Sequence, residues 1–301
     1  MPFRQIDRTI LFKVALVALS LQLVCAVSPV VLLAQRPFFA NDPLYRDETA
    51  RRTYYDGYAV SGEVSYRPID PIYTGGAASL GVLFRADYEV TSQFDVSAIV
   101  DAFGGPQAQS MRLAWIAVKH HWHSEGADMA VRVAFEPRPP IGGGIGFRQT
   151  DVGFFYSKVL SPTVETVIAL GLRHVRTGFQ SQTDDFGYSV KETRGFEAHL
   201  VLGYNLIFDP ARSHISLSLG YEGGRYDVTD RVLPPSVPSP GLTNEFAGHV
   251  LWIQTGLHWY RPTYQLVPFV RVPLAVEQKG DGPTRGKGPR YVNVGFRVTI
   301  R

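Results

Sequence analysis

The chain has 301 residues, 45% of them hydrophobic, 12% aromatic and only 19% charged, and its 29 Gly and 21 Pro make up about a sixth of the total. Against the roughly 25% of charged residues in an average domain, this excludes a coiled coil, a long helical bundle and a charge-rich disordered chain. One cysteine rules out a disulfide scaffold and any Cys-based zinc site, and a formal charge of +3 without a Lys/Arg block leaves no footprint for nucleic acid.

Residues 1–34 have the layout of a secretory leader. Arg4, Arg8 and Lys13 precede an apolar run from Val14 to about Ala34, interrupted by Ser20, Gln22, Ser28 and Pro29. Cleavage after Ala34 is expected, although Leu32 is bulkier than the usual residue three places back. Retention as a membrane helix is the alternative, since about 21 mostly apolar residues suffice to cross a bilayer. Val24 stands where a lipid-attachment motif before Cys25 needs Gly, Ala or Ser. Removing the leader takes three bases (Arg4, Arg8, Lys13) and one acid (Asp7), leaving 27 bases against 26 acids and no cysteine. A chain without thiols suits an oxidising compartment.

Residues 35–57 form an arm outside any periodic pattern. Arg36-Pro37-Phe38-Phe39-Ala40-Asn41-Asp42-Pro43 is turn-rich, and Asp47 to Arg52 has room for one or two helical turns.

From Tyr58 onward apolar residues recur every second position. Leu80, Val82, Phe84, Ala86, Tyr88 and Val90 alternate with Ser79, Gly81, Leu83, Arg85, Asp87 and Glu89; the same alternation recurs over Phe196–Leu206 and Ile215–Tyr221. This is the signature of strands with one apolar and one polar face. Twelve such segments follow: 58–67, 79–90, 94–104, 111–122, 129–136, 146–160, 164–176, 195–207, 214–226, 245–260, 264–277 and 290–300. In the fourth and tenth, Lys119 and His249 fall on the apolar parity, which calls for a bulge or a misread face. The connections alternate long and short throughout. Thr91-Ser92-Gln93, Ser124-Glu125-Gly126, Ser161-Pro162-Thr163, Phe208 to Ser213 and Arg261-Pro262-Thr263 are the short ones. A Greek-key sandwich has no reason to sort loops by parity, whereas an up-and-down membrane barrel has one rim of tight turns and one of longer loops.

In this pattern residues 58–301 resemble the bacterial outer-membrane β-barrel proteins as a class. The last strand adds a second likeness. Asn293, Gly295, Val298 and Ile300 fit the polar-x-Gly-x-x-apolar-x-apolar signal by which barrel-insertion machinery recognises a terminal strand, although this chain ends Ile300-Arg301 where many members end on an aromatic. The resemblance implies an all-β, transmembrane, antiparallel barrel of about twelve strands in the outer membrane of a Gram-negative cell. It implies both termini in the periplasm, lipid and the insertion machinery as partners, and no cofactor or nucleic acid. Phe94, Tyr156, Phe196, Tyr204, Tyr221, Trp259 and Phe296 are placed to form interfacial girdles. The arm then either hangs in the periplasm or folds back into the barrel as a plug.

Twelve strands about 4.8 Å apart and tilted about 40° enclose a backbone radius of roughly 12 Å. Small inward side chains leave a narrow aqueous pore, and large paired ones close it. With the apolar parity facing lipid, the lumen-lining candidates are Glu63, Arg85, Asp87, Asp101, Arg112, Arg132, Arg173, Glu197, Glu222, Arg271 and Arg297. Charges at membrane depth are tolerable only where they face water or a partner. Both signs occur, so the lining has no one-sided arginine track. The leading function is a passive channel or transporter for small solutes. The alternatives are a closed structural or surface-binding barrel, and a lipid-modifying hydrolase such as a lipid A deacylase.

Fragments of enzymatic sites do not add up to a catalytic or metal centre. His214-Ile215-Ser216 has a His-x-Ser spacing resembling that of outer-membrane phospholipases, but Leu217-Ser218 follows where those have an Asn-Gly or Asn-Ala step. Asn41-Asp42 has no evident partner His. His121 and His123 share a strand face without a clear third ligand, and Gly142–Gly146 is followed by neither Lys-Ser/Thr nor a helix.

Overall fold

Alternation of side chains across a strand leaves each segment with one face that needs lipid or core and one that needs water or partners. Closing the sheet on itself satisfies both. In a computed structural model of the chain, thirteen β-segments make one antiparallel sheet, and twelve of them form the wall. These are β1 (Tyr58–Pro68), β2 (Ala78–Glu89), β3 (Phe94–Gly105), β4 (Ala108–Ser124), β5 (Ala127–Arg138) and β6 (Gly146–Ser161), followed by β7 (Val164–Thr183), β8 (Gly187–Ile207), β9 (His214–Leu233), β10 (Leu242–Tyr260), β11 (Tyr264–Gly280) and β13 (Asn293–Ile300). The two-residue β12 (Gly286–Lys287) only flanks β11. The structure describes residues 44, 45 and 50 and, from 57 to 300, all but 69–77, 106–107, 139–145, 184–186, 210–212, 234–241, 281–285 and 288–291. The leader and most of the arm therefore lie outside the described residues.

Each wall strand pairs with its sequence neighbour, and β13 joins both β1 (Glu63↔Arg297, Val64↔Phe296) and β11 (Phe269↔Gly295), so no edge is left open. Closure is what a membrane demands, because hydrocarbon offers nothing to an unpaired backbone N–H or C=O. At the seam Ser61 and Thr299 share a 3.0 Å hydroxyl contact, and Arg297 holds Glu63 at 2.7 Å.

The tight turns gather at one end. Glu125 (φ 51) and Gly126 (φ 73) are both left-handed, the geometry of a two-residue hairpin whose twist matches the strands. Arg261 donates its backbone N–H to the Tyr264 carbonyl at 2.8 Å, and the backbone N–H of Ser213 bonds the Asp209 carboxylate at 2.8 Å. Glu89 N donates to Gly57 O and Ile300 pairs with Val60, so the first strand begins and the last one ends at this same rim.

The barrel is inside-out relative to a soluble protein. Leu172 and Phe196 are each 67% exposed on the outer surface, with Phe84, Ile116, Leu170, Leu202 and Tyr204 among their companions. Glu63, Arg132, Asp151, Arg173 and Arg271 are buried inside. So large an apolar exterior would aggregate in water; in a bilayer it is simply solvated. Replacing Leu170, near the middle of this band, with arginine is expected to cost about 2–4 kcal/mol, read as a lower denaturant midpoint in phospholipid vesicles. No loss would mean that the band does not face lipid.

The two ambiguous strands have separate explanations. On β4 the inner face carries Trp115 and Ala117 beside the buried Lys119, so that face was misread because apolar residues also point inward. On β10 His249 stays outward, 3.1 Å from Glu277, and the irregularity is in β11. Ala275 pairs with Leu251 and Pro273 with Trp252, making Leu274 an extra residue that inverts the parity beyond it. The segments expected as loops over 177–194 and 227–244 are largely strand. β7 and β8 pair from Arg176↔Arg194 to Thr183↔Gly187, and β9 and β10 as far as Asp230↔Leu242. Polar residues on both faces had hidden these extensions, since alternation marks a strand only where one face is apolar.

Candidate functional site

The inner wall of β5–β8 carries a ladder of alternating charge. Asp151, Arg173 and Glu197 are direct cross-strand neighbours, and Arg132 lies diagonally beside Asp151. Arg132 Nη2 donates to Asp151 Oδ1 at 3.0 Å, Arg173 Nε to Asp151 Oδ2 at 3.3 Å, and Arg173 Nη1 to Glu197 Oε2 at 2.9 Å. His199 Nε2 extends the row, 3.3 Å from the same Glu197 oxygen. Two guanidiniums therefore share the Asp151 carboxylate in a dry setting, where separating any pair is costly.

Described parts of the arm sit inside this ladder. Leu44 and Tyr45 are 0% and 3% exposed. The Tyr45 hydroxyl donates to Asp151 Oδ1 at 2.9 Å, its ring stacks on His199 at 4.5 Å, and the Arg132 guanidinium lies 4.8 Å from its centroid. Arg132 Nη1 also donates to the Leu44 carbonyl. Lower down, Ala50 N–H donates to Ser157 Oγ at 3.2 Å, and its carbonyl lies 2.8 Å from His121 Nδ1, whose other ring nitrogen contacts Asp95. The wall makes room for this. A Cβ on Gly171 would stand 1.6 Å from the Tyr45 hydroxyl oxygen, and the cross-strand partner of Gly171 is Gly153. Burial, and then the charge of Asp151, raise the Tyr45 phenol well above its ordinary pKa despite the opposing pull of Arg132 and Arg173. The hydroxyl accordingly keeps its proton and remains a donor.

Other expected lining residues fall into separate groups. Glu63 and Arg297 pair across the seam. Arg85 binds Asp87 through Nε at 2.8 Å, and Ser97 Oγ donates to the same carboxylate. Glu222 accepts from Trp252 Nε1 at 3.2 Å, while Arg271 lies 4.3 Å over that indole ring and donates Nε–H to Gln254 at 2.8 Å. The side chains of Asp101 and Arg112 lie outside the described residues, although their backbones pair with Leu83 and Ala102. In β13 Asn293 is buried on the inner side, Ile300 is exposed, and Gly295 leaves room for the Phe269 ring, which would stand 2.3 Å from a Cβ there.

Asp151 and Tyr45 escaped the sequence reading. Asp151 shares its strand face with Gly153 and Phe155, which blur the polar parity, and the arm has no period at all. His121 and His123 do not converge on a metal: His121 holds the arm, whereas exposed His123 pairs with Asp128 at 2.8 Å. No group of three metal-ligating side chains occurs among the described residues. Asn41-Asp42 and Gly142 to Ile145 lie outside the described residues, and His214 and Ser216 are buried inside the short-turn mouth.

No protein-family model and no curated protein matches the chain. Among solved structures it is similar to an outer membrane channel from Pseudomonas putida F1, at 12% identity over 81% of this chain and 94% of that one, with a TM-score of 0.48. It is also similar to the ferric citrate transporter FecA in its unliganded form (10% identity, 83% of this chain, 43% of that one, TM-score 0.40). The copper transporter OprC gives 9% identity over 80% of this chain and 42% of that one, with a TM-score of 0.38. The chain spans less than half the length of these two transporters, and identity at this level carries no solute across.

Proposed function

We propose that the protein is an integral outer-membrane channel for the passive movement of small solutes, and that its own N-terminal arm is the plug. One observation carries this reading: the wall leaves a hollow at Gly171, and Tyr45, from a separate piece of chain, fills it. A barrel that is closed for good needs no hollow, since larger side chains on β6 and β7 would fill the centre directly. Both charge signs line the interior, so the open channel is weakly selective. The tight-turn rim, where the wall's first strand begins and its last strand ends, faces the periplasm, as tight turns do in bacterial barrels. Asn293, Gly295, Val298 and Ile300 serve as the assembly signal.

The test is conductance in planar bilayers. Full-length protein is expected to give rare, brief steps, and a variant lacking residues 36–56 frequent and larger ones. Silence from both, at several voltages and salt concentrations, would favour the closed structural barrel.

A further inference from the structure

We propose that Ser216, His258 and Gln265 form a nucleophilic site for hydrolysis of small carboxylic esters, inside the barrel at the short-turn mouth. Among the described residues, the contacts that join these three are separate from the ladder of Asp151, Arg173 and Glu197 and from Tyr45. Ser216 opens β9 just beyond the 208–213 turn, and His258 and Gln265 flank the 261–263 turn, so the closed hairpin register brings them together from three strands. His258 Nε2 lies 3.1 Å from Ser216 Oγ, and the Gln265 amide nitrogen lies 3.0 Å from His258 Nδ1. Half a turn of that amide, whose two ends are nearly isosteric, presents its oxygen to Nδ1–H and frees the Nε2 lone pair, to which the Ser216 hydroxyl turns its proton from the Gly256 carbonyl it donates to at 3.3 Å. Nucleophile, base and orienting group then stand in the order that activates a hydroxyl.

The surroundings support the same reading. His214 stacks on His258 with centroids 4.2 Å apart and planes 15° from parallel, which fixes the plane of the His258 imidazole. Gly256 is cross-strand to Ser216, and a Cβ there would come within 3.1 Å of Ser216 Oγ and 3.5 Å of His258 Nε2. Glycine thus keeps this strand from crowding the reacting pair. On the other flank Asn205 pairs directly with Ser216. Its amide is anchored by donating to Glu165 at 3.2 Å, and in the proposed reaction its second N–H serves the oxyanion. Ser216, His258 and Gln265 are 6%, 6% and 7% exposed, which limits the substrate to one slender enough to enter the mouth.

In the reaction, Ser216 Oγ bonds to the ester carbonyl carbon as its proton passes to His258 Nε2. Collapse of the tetrahedral adduct breaks the bond to the alcohol, which departs with that proton. Water, deprotonated by the same nitrogen, then cleaves the acyl-serine to give a carboxylic acid and restore the hydroxyl.

Full-length protein in detergent, treated with a fluorophosphonate probe, is expected to label at Ser216 and to hydrolyse p-nitrophenyl butyrate. Ser216→Ala should abolish both, His258→Ala should slow both about a hundredfold or more, and Gln265→Ala should act in the same direction, more weakly. Ser218→Ala, one inward position further along β9, should change neither. Heat-modifiable mobility on a gel checks that each variant is folded. Absence of labelling in the wild type, or labelling that survives Ser216→Ala, overturns the proposal. Either result leaves the conductance experiment unaffected.

Discussion

Replacing Tyr45 with alanine is expected to open the barrel while leaving its wall intact. The substitution removes a hydrogen bond to a carboxylate, about 1.5–3 kcal/mol, a stacked ring contact, about 0.5–1.5 kcal/mol, and a desolvated cation–π contact of up to about 2 kcal/mol. Together these shift the docked-to-undocked ratio of the arm by about thirtyfold at the least and about ten-thousandfold or more at the most, since each tenfold step takes about 1.4 kcal/mol. In planar bilayers this should appear as a matching rise in open probability. Tyr45→Phe, which keeps the ring, should give only a part of it. Gly171→Ala should act in the same direction by filling the hollow that the phenol occupies, without altering any charge. The opposite result is expected from a disulfide between Ala50→Cys and Ser157→Cys, which are joined by a 3.2 Å hydrogen bond in the native chain. Oxidised, it should hold the channel shut, and reduction should release it. An unchanged open probability in Tyr45→Ala, together with a conducting cross-linked form, would show that the arm is not the gate.

The wall was legible in the sequence because two independent signals agree on it. Period-two alternation gives each strand its faces, and loop lengths sorted by parity give the topology; the twelve expected segments fall on the twelve wall strands. The ladder was legible only in fragments. Arg132, Arg173 and Glu197 could be assigned to the inner face from parity, but their pairing depends on register across β5 to β8. Register is set by hairpin geometry that composition does not reveal. The same limit hid the His258 and Gln265 partners of Ser216, which is 42 residues from the histidine. Tyr45 lay deeper still: one aromatic residue in a turn-rich arm carries no signal until the glycine hollow opposite it is seen.

Asp151→Asn is expected to weaken the fold and loosen the plug together, and that pairing distinguishes the ladder from the gate. The asparagine fills the same volume but takes from the buried guanidiniums of Arg132 and Arg173 the carboxylate charge they share. Breaking a buried ion pair from one side costs about 3–5 kcal/mol, because the charge left behind stays buried without its compensating opposite. The unfolding midpoint, followed by heat-modifiable gel mobility in denaturant, should fall accordingly, whereas Tyr45→Ala should leave it nearly unchanged. Open probability should also rise, since the Tyr45 hydroxyl trades a charged acceptor for a neutral amide. The sign of selectivity should move as well: with one negative charge removed beside two arginines, the reversal potential in a salt gradient shifts toward anion preference. A compensating Asp151→Asn, Arg132→Met double variant should recover much of the lost stability, because it removes one of the two buried cations, yet the Tyr45 ring would then lack both its cation–π partner and its charged acceptor. Stability and closure should therefore separate in the double variant, more stable than Asp151→Asn but still open. If the single variant unfolds at the wild-type midpoint, Asp151 does not tie the two arginines together, and the ladder is not what holds the hollow in shape.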